Sequence, residues 1–182
     1  MLAEGQIAGL TVGSTAPLFL AVLAVHILAA FTALASGAVA ALSAKGSARH
    51  VRAGHRYFRA IIGVFVTAVA LAAMRWHQDY YLVAIGAVAL GTAVLGVRHR
   101  RRNRPGDAGH IIGMGASYAV MLTAFYVDNG PHLPLWDRLP TAAYWLLPAV
   151  VATPIIVRAV LRSRSCPLPA PQSLPKDDRH AA

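Results

Sequence analysis

The sequence predicts an all-α integral membrane bundle of five transmembrane helices, with its N-terminus outside and its C-terminus in the cytoplasm. Three observations predict it. The 182 residues are 57% hydrophobic and 13% charged, with a mean hydropathy of +0.53. Globular domains average about 45–50% apolar and about 25% charged, so this excess of apolar side chains calls for lipid as the solvent. The apolar residues gather into five runs long enough to approach a bilayer crossing. Fifteen of the 17 Lys and Arg then fall on one side of those runs. The same composition excludes a disordered chain and a disulfide framework, since Cys166 has no second cysteine to pair with.

The first run is the clearest. No Asp, Glu, Lys or Arg occurs in 5–44, and only His26 interrupts the apolar stretch from Pro17 to Leu42. Four more runs follow at 60–74, 80–97, 111–127 and 139–157. The second and fourth are short, but flanking Arg, Trp, Tyr and His extend them by reaching the interface. Residues 1–16 form an extracytoplasmic segment, 17–161 the membrane domain, and 162–182 a disordered cytoplasmic tail with four prolines between Pro167 and Pro175. No basic residue precedes Lys45, so no cleaved signal peptide is expected.

Lys45, Arg49, Arg52, Arg56 and Arg59 separate the first two runs, and Arg98, Arg100, Arg101, Arg102 and Arg104 separate the third from the fourth. Arg158, Arg162, Arg164, Lys176 and Arg179 follow the fifth, leaving Arg75 and Arg138 opposite. The positive-inside rule puts the larger set in the cytoplasm. Trp76, Trp136, Trp145, Tyr80, Tyr81, Tyr126 and Tyr144 lie near the other ends, where amphipathic rings favour the headgroup layer. Topology and anionic lipid thus explain the net charge of +10, with no nucleic-acid partner implied.

Ala29, Ala33, Gly37 and Ala41 make a small-residue stripe on helix 1 that permits close helix approach, and His26 shares it near mid-membrane. On helix 4, His110, Met114, Ser117, Met121, Phe125 and Asp128 recur at three- and four-residue steps, bordered by Tyr118. If helix 2 extends into its flanks, His55, Arg59, Gly63, Ala70, Ala73 and His77 share a face. The plain structural reading has His26 bonding a helix-4 hydroxyl, Ser117 or Tyr118, for packing alone. His50, His99 and His180 read as interfacial anchors. In 128–140, Asp128 and Asn129 turn the chain, Gly130 permits a positive φ, and three prolines stiffen the rest. With His77 and Asp79, this end offers Asp128, His132 and Asp137, an imidazole and carboxylate set in no standard metal-ligand spacing. No phosphate-binding loop, dinucleotide fingerprint, nucleophile elbow or HExxH motif is present.

His26, the His55-Arg56 pair, His110, and above all the run SYAVMLTAFYVDNGPHLPLWDRLP at 117–140 resemble a family of small bacterial polytopic membrane proteins of unknown function. The similarity covers most of 26–158, with 123–140 its specific part. The resemblance implies a helical multi-pass protein of the bacterial plasma membrane and brings no activity with it.

Three functions compete. One is an embedded enzymatic or proton-coupled site for a lipid-soluble, quinone-like substrate, with His26 and Tyr118 inside and Asp128, Asn129 and Asp137 at its mouth. A second is electron transfer by haem b, with His55 and His110 as the axial pair and His26 with His77 as a looser outer one. The 22 residues between His55 and His77 span about 33 Å of helix, more than two stacked haems require. The third is an accessory subunit without chemistry, bound to itself or to another membrane chain.

Overall fold

The computed structural model describes residues 5–7, 10–12, 17–74, 76–101, 108–134 and 138–164, without the side chains of 5–12, 76–79, 101 and 164. Five long helices carry the fold: α1 (Pro17–Leu42), α2 (Ala48–Met74), α3 (Trp76–Arg101), α4 (Ala108–Asn129) and α5 (Thr141–Arg164). Two three-residue strands, β1 (Gly5–Ile7) and β2 (Leu10–Val12), precede them as an antiparallel pair with Gly5 opposite Val12. The apolar runs did not foretell that small departure from an all-helical chain.

All five helices are long and apolar enough to cross a membrane, and at most 17% of any central window is buried within the protein. Leu18, Phe31, Val150 and Ile155 are each at least 64% exposed. Water would turn such a surface into an aggregation site, whereas hydrocarbon solvates it. The architecture is compatible with a multi-pass membrane protein.

The second helix begins earlier than its apolar run. Gly46, at φ 78°, turns the chain after α1, and the Ser47 hydroxyl accepts the His50 N–H at 3.2 Å as a helix cap. Arg49, Arg52, Arg56 and Arg59 therefore belong to the first turns of α2 instead of a loop, and Arg98, Arg100 and Arg101 to the last turns of α3. Basic charge has been wound into helix ends, from which long side chains can reach a polar phase.

Contacts between helices fix their directions. His26, Ala29 and Ala40 of α1 meet Thr67, Gly63 and His50 of α2, so residue numbers fall on one helix as they rise on the other and the pair is antiparallel. Gly96 and His99 of α3 likewise meet Gly113 and Gly109 of α4. Between the two hairpins the sense reverses: His50 and Tyr57 of α2 meet His110 and Ser117 of α4, a parallel pairing. Helix α4 also meets Leu34 of α1 through Tyr118, and Ile156 of α5 lies against Gly115. It is the one helix that touches all the others among these contacts. The core is thin and rich in small residues: Ala33, Tyr57, Ala60, Ile61, Ala89, Ala93 and Met121. Small side chains let helices approach closely enough for dispersion contacts to hold them in lipid.

The stripe predicted on α1 faces inward as expected, Ala33 and Gly37 being buried and Ala29 and His26 partly so, although Ala41 is exposed. A Cβ on Gly37 would stand 2.5 Å from the Tyr118 ring and 3.0 Å from that of Tyr57. The face expected on α2 does not hold. His55, Arg59 and Ala73 are exposed, and the buried side is Ala53, Tyr57, Ala60, Ile61 and Ala72. Turning the apolar and aromatic side inward leaves the arginines at the periphery, where they can be solvated. His77 falls in α3, not α2, because only Arg75 separates the two helices.

Candidate functional site

Helix α2 carries three polar stations along its inner side. His50 to Tyr57 is seven residues and Tyr57 to Thr67 is ten, so the stations are about 10 and 15 Å apart along the axis.

The first lies at the basic end, where the Arg-bearing ends of α2 and α3 meet the start of α4. The His50 Nδ1 is 2.9 Å from the Ala40 carbonyl oxygen, and the His110 Nδ1 is 3.1 Å from that of Gly96. A carbonyl only accepts, so in both rings Nδ1–H donates and, in the neutral form, the lone pair resides on Nε2. The two ring centres are 6.3 Å apart with their planes at 72°. The ring of His99 lies over Gly109, where a Cβ would stand 2.5 Å from it. His110 thus meets His50, which was expected to be an interfacial anchor, while the proposed partner His55 is exposed.

The second station is the Tyr57 hydroxyl, 2.7 Å from the Ser117 hydroxyl, with both residues fully buried or nearly so. Beside it the Tyr118 hydroxyl donates to the Leu34 carbonyl at 3.1 Å, and the Tyr57 and Tyr118 rings lie 6.0 Å apart.

The third holds His26. Its Nδ1 is 2.8 Å from the Thr67 hydroxyl oxygen, which itself donates to the Gly63 carbonyl at 2.7 Å, with the Val64 carbonyl at 3.1 Å. Thr67 has a single proton, and a helical threonine directs it to the carbonyl four residues back. The hydroxyl therefore accepts from His26 Nδ1–H, and the basic nitrogen is Nε2. The helix-4 partner expected for His26 is thus replaced by one on α2, because Ser117 is engaged by Tyr57.

At the opposite end of α4, the Asn129 amide donates to the Phe125 carbonyl at 3.1 Å and to the Asp128 carboxylate at 3.3 Å. Asp128 is exposed and so is His132, which sits in a single 3-10 turn, Gly130–His132. Gly130 is not in the left-handed region. It is needed for space, since a Cβ would lie 2.7 Å from the ring of Tyr144, which is buried. Asp137 and the side chains of His77 and Asp79 lie outside the described residues. His180 does as well.

Among the described residues no buried side-chain nitrogen or oxygen lacks a hydrogen bond. Nor do three or more His, Cys, Asp or Glu converge there as a bare metal ion would require. His50, Tyr57 and Thr67 were missed as site residues. The signal for them was present in Ser47, which caps a helix starting at Ala48 and so places His50 and Tyr57 two turns apart on one face.

Fold and site define a class, a bundle of five helices long and apolar enough to span a membrane, with polar side chains spaced along its interior. Likeness to known proteins narrows it no further: no family model, no curated protein and no solved structure matches the chain.

Proposed function

We propose that this chain is a multi-pass protein of the bacterial plasma membrane, N-terminus outside, in which His26 exchanges a proton with a lipid-soluble, quinone-like substrate. The observation that carries this is the 2.8 Å contact of His26 Nδ1 with the Thr67 hydroxyl, from which the tautomer is inferred. Thr67 and the Gly63 carbonyl orient the ring and hold Nδ1–H as a donor, so that Nε2 is the proton-accepting atom. Ionisable side chains are costly at this depth and serve pathways and relays when they occur there. A substrate arriving through the bilayer finds small residues on α1 beside the ring. Tyr118 gives its hydroxyl proton to the Leu34 carbonyl, about 12 Å along α1 from His26, and so borders the inner end of the same face, while Asp128 and Asn129 border the exit of α4, with Asp137 following. The distribution of basic residues supports the orientation, since the described Arg-bearing helix ends other than Arg138 gather at one end.

The test is quinone binding by the protein in lipid nanodiscs, followed as quenching of its tryptophan fluorescence by a short-chain ubiquinone analogue. Saturable quenching is expected, weakened about tenfold by His26→Ala, a loss of about 1.4 kcal/mol, and unaffected by His132→Ala. Linear, unsaturable quenching in the wild-type protein would refute the reading and favour an accessory subunit.

A further inference from the structure

The His26 reading leaves the pair at the basic end unused. We propose that His50 and His110 are the two axial ligands of a haem-type metalloporphyrin held between the α1–α2 and α3–α4 hairpins. The argument is independent of His26.

Geometry comes first. Two imidazoles on opposite sides of one metal, each with a bond of about 2.0 Å, have ring centres about 6 Å apart. His50 and His110 stand at 6.3 Å. Their planes, at 72°, are free to take any mutual angle around a common axis. Each ring gives Nδ1–H to a backbone carbonyl, Ala40 for one and Gly96 for the other. Metal-bound histidines are held this way, the outer hydrogen bond fixing the ring and making Nε2 the ligating atom. The ligands come from two different hairpins whose parallel contact, α2 on α4, puts both at one depth.

Charge decides the class of ligand. Arg49 and Arg52 flank His50, and Arg98 and Arg100 follow Gly96 on α3. A bare divalent cation would meet that field with two imidazoles and no third ligand among the described residues. A porphyrin brings its own four nitrogens and two carboxylates, which arginines pair with well.

The experiment uses the full chain, purified in detergent and titrated with ferric protoporphyrin, with absorption and electron paramagnetic resonance as readouts. One equivalent is expected to give a low-spin six-coordinate ferric signal, and dithionite to sharpen the α and β bands. His50→Ala and His110→Ala should each abolish the low-spin signal, while His55→Ala and His99→Ala should retain it. Should the alanine variants not fold, His110→Met gives a second readout: thioether in place of imidazole raises the reduction potential. A folded wild-type protein that shows no low-spin signal would overturn the proposal. So would a signal that survives His50→Ala, or zinc binding at this pair without porphyrin binding.

Discussion

Removing the Tyr57 hydroxyl tests whether the two hairpins are joined by the contacts described. Tyr57 is 2% exposed and Ser117 is 0% exposed, and their hydroxyls lie 2.7 Å apart, so neither has a competing partner in lipid or water. Tyr57→Phe leaves the Ser117 hydroxyl buried without its partner, a loss of about 1–3 kcal/mol for a fully stranded group. A helical serine can turn to the carbonyl four residues back, here that of Gly113, which brings the expected cost to about 1 kcal/mol. Ser117→Ala should cost a similar amount by stranding the phenol. The double variant loses both partners together, so its cost should fall short of the sum by about 0.6–1.5 kcal/mol, the span of interhelical polar pairs in membranes. The assay is reversible unfolding in mixed micelles of rising SDS fraction, followed by circular dichroism and analysed as a double-mutant cycle. Additivity to within about 0.3 kcal/mol would refute a direct bond between these helices.

Four further outcomes are expected. Gly113→Ala should destabilise by about 2 kcal/mol or more in the same unfolding assay, because its Cβ would stand 2.6 Å from the Gly96 Cα and 2.8 Å from the Thr92 carbonyl, both backbone. Gly54→Ala, with nothing within 4 Å, should be neutral or stabilise α2 by up to about 1 kcal/mol. Ser47→Ala removes the cap of α2 and should cost about 1 kcal/mol, with amide exchange rising at 48–51 and not beyond 57. Cys166 should react with a membrane-impermeant maleimide in inverted membrane vesicles and stay unreacted in spheroplasts, where the reverse pattern would place the C-terminus outside.

Composition and charge made the number of helices legible, and Pro17 to Leu42 coincides with α1 to the residue. Helix ends were less legible, because hydropathy sees where lipid begins and not where hydrogen bonding starts. The cap at Ser47 marks the true start of α2, twelve residues before the apolar run at Ala60. Extending the helix into its flanks from His55 chose a face that leaves His55 exposed, one and a half turns from His50, and passed over the one shared by His50 and Tyr57. The α1 stripe was read correctly except at Ala41, because small residues on a lipid-facing helix serve close packing. The partner of His26 was not, since a single sequence gives the face of a side chain without saying which of several nearby hydroxyls is already taken.

The contacts that join the hairpins have a consequence for how the bundle assembles. Each hairpin can form from neighbouring chain as it inserts, but α2 beside α4 unites segments some 60 residues apart and running the same way. Greasy surfaces in oil are nearly indifferent to sliding, so apolar packing alone would tolerate a shift of one helical turn, about 5.4 Å. Such a slip would part three pairings together: His50 from His110, Tyr57 from Ser117, and Tyr118 from the Leu34 carbonyl. The polar groups therefore act as a vernier, worth little individually, that adds to the packing of α2 on α3 at Phe65 and Gly86 in selecting one alignment of the two halves.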